Sequence, residues 1–96
     1  MTAETDAIRL AVKESLAALA IKAPGHSVEV RIPPYAVIQC IPGVKHRRGT
    51  PPAVVEMDAT TWLALASGEL PWIDAIAQGR INASGERSDL SAFLPL

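Results

Sequence analysis

Residues Thr60–Gly85 read TTWLALASGELPWIDAIAQGRINASG, and this stretch separates two fold classes. Trp62, Leu65 and Ala66 recur at three- and four-residue steps, the spacing of one helix face. Asp58 or Thr60 can cap that helix, and Gly68 stands where a left-handed helix end favours glycine. Pro71 suits the first turn of a second helix, where its missing N–H costs nothing. Trp72, Ile73, Ile76 and Ala77 give this second helix an apolar stripe to bury, and Gly79 closes it. RINASG then alternates as a strand does, Ile81 and Ala83 against Arg80, Asn82 and Ser84. Two helices in succession break the strand–helix alternation of a doubly wound sheet.

Upstream, Ile8, Val12, Leu16 and Leu19 mark an amphipathic helix of about four turns that ends near Lys22, before Ala23-Pro24-Gly25. Its outer face carries Arg9, Lys13 and Glu14. SVEVRI, residues 27–32, places Val28, Val30 and Ile32 on one side of a strand and Glu29 and Arg31 on the other. Pro33-Pro34 ends it. YAVIQCI is a second strand, apolar on both faces, and AVVEMD a third, with Val55 and Met57 opposite Glu56. Downstream, Ser88 can cap a short last helix carrying Leu90, Phe93 and Leu94. The order α-β-β-β-α-α-β-α predicts an α+β fold with a mixed or mainly antiparallel sheet.

A chain of 96 residues is a single domain, residues 1–96, with a thin core. With 49% apolar and 20% charged residues it reads as soluble and globular. A net charge of -1 gathers no nucleic acid. Cys40 is the one cysteine, so no intrachain disulfide forms, and a cytoplasmic location is expected. The N-terminus lacks the basic and apolar regions of a secretory signal, and no run is long enough to span a membrane.

From the third strand onward the chain resembles the sterol carrier protein-2 (SCP2) family. The resemblance lies in a strand ending at Asp58, then TTWLALASGE, a second helix closed by Gly79, RINASG as a strand, and a terminal helix. RGTPPAVVEMD, TWLALASGELPW and SDLSAFLPL look like the short sterol-carrier-like proteins of actinobacteria. The resemblance implies a four- to five-stranded sheet with helices packed on one face. It also implies an apolar tunnel between the layers for a fatty-acyl or sterol-like lipid. The expected walls are Tyr35, Val37, Val55, Met57, Trp62, Leu65, Trp72, Ile76, Phe93 and Leu96, with Arg47 and Arg48 for an anionic head.

Each group also has a simpler use. The tryptophans can line a ligand cavity or fill the helix–sheet core. An empty cavity of about 300 Å³ would cost on the order of 7 kcal/mol at the measured volume coefficient. A domain this size holds only about 5–14 kcal/mol, so a tunnel is occupied, closed, or supported by a partner subunit. Lys45-His46-Arg47-Arg48 can bind a phosphate or carboxylate, or can be a solvated loop that protects a sheet edge.

No catalytic constellation can be written. Cys40 and His46 lack a third orienting group, and one cysteine with two histidines at these spacings builds no zinc site. Cys40 reads as a buried hydrophobe and His26 as a loop residue. Glu56 and Asp58 share a strand face, but Asp58 has a sufficient role as a cap. Asn82 in Asn-Ala-Ser is an incidental glycosylation match in a cytoplasmic chain. The expectation is a non-enzymatic lipid binder without cofactor. A second reading is an interaction domain with a closed tunnel, docking on a second copy or on a partner enzyme.

Overall fold

The computed structural model describes residues 2–43, 53–85 and 88–96. The first helix, α1, spans Ala3–Lys22. Thr2 caps it by accepting the Thr5 N–H at 3.2 Å, and Glu4 and Asp6 sit in the first turn, where acids complement the helix dipole. Its inward stripe is Val12, Leu16 and Leu19, all fully buried. The chain then turns through Gly25 at φ +147, where a side chain would strike the Ile41 carbonyl. Glycine is required there by both conformation and space.

Strands β1 (Val28–Ile32) and β2 (Ala36–Cys40) form an antiparallel hairpin. Its turn is closed by the Tyr35 N–H donating to the Ile32 carbonyl at 2.9 Å. Strand β3 (Ala53–Glu56) runs parallel to β1, and β4 (Asn82–Ser84) antiparallel to β3. The sheet order is β2-β1-β3-β4, so it is mixed.

Register decides which face is core. Val28 pairs with Cys40 and Ala53, and Val30 with Ile38 and Val55. These positions face the helices, and the valines, Cys40 and Ala53 are buried. The alternate positions pair Glu29 with Gln39 and Arg31 with Val37 and Glu56 on the open face. There Glu29 and Arg31 form an ion pair at 2.5 Å. The helices cover the other face, with α1 packed against β2 and against α2, the helix Ala59–Ser67.

Asp58 caps α2, its Oδ1 accepting the Thr61 N–H at 2.7 Å. The Thr61 backbone N–H and hydroxyl hold the Asp58 carboxyl below its usual range, Arg80 adding a smaller electrostatic pull. Helix α2 ends at Gly68, φ +87, in the left-handed region. Helix α3, Trp72–Ala77, follows with Pro71 at its N-cap, and a 3₁₀ turn, Ser91–Phe93, ends the fold.

Three local expectations are corrected. The stripe assigned to α3 is not buried: Ala75 is its buried residue, while Ile73 is 74% exposed and Ile76 44%. A helix under two turns long that makes its close contact through an alanine leaves its larger side chains outside. Ile81 is half-buried, but β4 itself is exposed throughout, because it is an edge strand of only three residues. Ser88 caps no helix. Asp89 Oδ1 instead accepts the Ser91 N–H at 2.8 Å and sets up the 3₁₀ turn.

Candidate functional site

The two tryptophans part company in the tertiary structure. Trp62 is fully buried between α1 and the sheet. Its indole Nε1 donates to Ser15 Oγ at 2.7 Å. The Ser15 hydroxyl in turn donates back within α1, 2.7 Å from the Ala11 carbonyl. This relay satisfies the one polar group that a buried indole carries into the core. Val55, Met57 and Leu65 are buried in the same cluster. Side chains therefore fill the space between helices and sheet at this level.

Trp72, half-buried, lines an apolar pocket of about 630 Å³ that is partly open to solvent. One wall is α3 with the Gly68–Pro71 turn, contributing Leu70, Pro71, Trp72, Ile73 and Ile76. The other is the C-terminal segment, contributing Asp89, Ser91, Leu94 and Pro95. Leu65 forms part of the floor and so belongs to both the core and the pocket.

Long-range contacts hold the C-terminal wall in place. Lys22 Nζ donates to the Phe93 and Pro95 carbonyls at 2.9 and 3.2 Å. The Leu96 N–H donates to the Ala66 carbonyl at 3.0 Å, at the end of α2 where carbonyls lack helical partners. Pro95 lies against Gly68: a Cβ there would meet its ring at 3.4 Å, in a backbone conformation that side chains rarely adopt. The same glycine thus ends α2 and seats the tail.

The expected wall residues divide accordingly. Leu65, Trp72 and Ile76 line the pocket. Val55, Met57 and Trp62 lie in the core, and Tyr35 is half-buried beside it at the hairpin turn. Phe93 is half-buried and Leu96 41% exposed, both placed by the tail contacts. Val37 is on the open face, 56% exposed, because the β1–β2 register sets it opposite Arg31. Arg47, Arg48 and His46 lie outside the described residues. Cys40 is buried, and burial pushes its thiol up to about 11, so it is kept protonated and unreactive. His26 is exposed, its Nδ1 2.8 Å from Gln39 Oε1.

Sequence reasoning missed Leu70, Asp89, Ser91, Leu94 and Pro95 as lining residues. Leu94 stood in an apolar run and was legible as something to be covered. Asp89 and Ser91 carried no signal, because only the path of the tail brings them to α3.

A family model described as a bacterial SCP ortholog matches residues 4–96. The chain belongs to this SCP2-like family. No curated protein matches it closely. The match spans the residues of both walls of the pocket.

Proposed function

We propose that the protein is a non-catalytic carrier of a small lipid-like molecule, held in the pocket between α3, the end of α2 and the C-terminal segment. The observation that carries this reading is the pocket itself. At about 630 Å³ it falls within the roughly 300–1,000 Å³ of small-molecule sites. Its walls are mostly apolar, and Trp72 stands among them. An apolar chain laid along Leu70, Trp72, Ile76 and Leu94 gains roughly 25 cal/mol per Å² removed from water. Among the described lining residues, Asp89 and Ser91 carry the acceptor-bearing polar side chains. No histidine, cysteine or lysine among the described lining residues stands beside that serine as a base. Membership of the sterol carrier family supports the same reading. Among the described residues no helix is long and apolar enough to cross a membrane. The unpaired, buried Cys40 thiol suits a reducing cytoplasm.

Titration with dodecanol, followed by tryptophan emission, tests this. The emission is expected to shift, the shift to persist in Trp62→Phe, and to vanish in Trp72→Phe. Native mass spectrometry of the freshly purified protein reports any retained lipid directly. An unchanged spectrum together with an unliganded mass would argue against a carrier.

A second reading has one observation in its favour. Ile73 and Ile76 stand exposed at the pocket, where a second copy or a partner enzyme could cover them. Light scattering separates the readings: a concentration-dependent dimer abolished by Ile73→Ser supports the interface.

A further inference from the structure

We infer that the pocket selects its ligand by the charge of the head group, favouring a positively charged amphiphile over one that carries a carboxylate or phosphate. The inference rests on the carrier reading and adds to it the chemistry of the polar end. The pocket is built from two segments, residues 65–76 and 88–96. Together they carry three acids, Glu69, Asp74 and Asp89, and neither lysine nor arginine.

Asp89 is the ionisable side chain among the described lining residues. Its Oδ1 is fixed by the Ser91 N–H, and a carboxylate so held still presents acceptor capacity to an incoming donor. Lys22 holds the tail wall through the Phe93 and Pro95 carbonyls and keeps its positive charge there, but it is not one of the residues lining the pocket. Among the described lining residues an anionic head would meet the like charge of Asp89 on the tail wall. An ammonium head would find Asp89 and, in the same pocket, the indole of Trp72, the aromatic side chain that attracts cations best. Asp89 is solvent-exposed, so screening keeps the preference moderate.

The test uses dodecylammonium, dodecanol and dodecanoate with the intact protein, at neutral pH and about 0.15 M salt. The alkyl chains are matched, so the apolar contribution cancels. Calorimetric titration is expected to rank the affinities ammonium, alcohol, carboxylate, with a ratio of about tenfold between first and last, as one modest charge interaction gives. Asp89→Asn keeps an acceptor for the Ser91 N–H while removing the charge, and is expected to shrink that ratio by about threefold. Dodecanoate binding as tightly as dodecylammonium would overturn the selectivity and leave the carrier reading standing. An unchanged ratio in Asp89→Asn would overturn the role of Asp89. Failure of all three probes to bind would overturn the selectivity and the carrier reading together.

Discussion

Trp62, the fourth residue of α2, completes the core, whereas Trp72, the first residue of α3, faces a pocket. The surroundings of Trp62 are closed on every side: α1, β1 and β3 supply buried aliphatic neighbours and Ser15 takes its N–H. Those of Trp72 are built from a six-residue helix and a tail. A region held by a helix of 20 residues and a sheet resists opening. One held by a short helix, a lysine and a few terminal hydrogen bonds can open more readily. The same residue type therefore serves stability at one position and recognition at the other.

The sharpest way to break that comparison is to truncate both indoles. Trp62→Ala is expected to cost about 3–5 kcal/mol in denaturant unfolding, a large share of what so small a domain holds. Trp72→Ala is expected to cost no more than about 1 kcal/mol and to abolish the ligand-dependent emission change. Equal costs would show that the pocket is core after all.

Next in size is the alkaline limb of stability. The Cys40 thiol ionises near 9.0 in an unfolded chain and at about 11 when buried. The folded state thus retains a proton that the unfolded state has lost, and stability falls as pH rises between those values, by about 2–3 kcal/mol. Cys40→Ala should remove this slope from pH-dependent unfolding while leaving ligand affinity unchanged, since Cys40 is absent from the pocket lining.

Ser15→Ala leaves the buried Trp62 N–H without its partner, at an expected cost of about 1–3 kcal/mol. A loss near zero would mean that the relay through α1 contributes little to the closed region. The smallest effect is at the start of α2. Asp58→Ala is expected to cost about 1 kcal/mol. The Asp58 carboxyl is lowered in the fold, so its contribution is present above the unfolded carboxylate pKa and is lost as pH falls through the folded value. An acid limb unchanged by the substitution would exclude Asp58 as its source.

Local chemistry made most of the fold readable. The helix α1 stripe, the Asp58 cap, the left-handed Gly68 and the alternation in β1 all involve residues close in sequence, and each stands as expected. The reading failed where short segments relied on distant ones. Apolar spacing in Trp72–Ala77 showed a stripe but not what would cover it, and the structure covers little beyond Ala75. Val37 was ambiguous because both faces of its strand are apolar, and only pairing with Arg31 fixed it outward.

The sequence by itself determined the kinds of elements, their order and most of their ends, because periodicity, caps and turn residues act within a few positions of one another. The tertiary structure alone decided which indole is enclosed and where the pocket lies. Those outcomes depend on Ser15 meeting Trp62, Lys22 meeting the Phe93 and Pro95 carbonyls, and Leu96 meeting Ala66. Such meetings join residues tens of positions apart, and no local pattern encodes them.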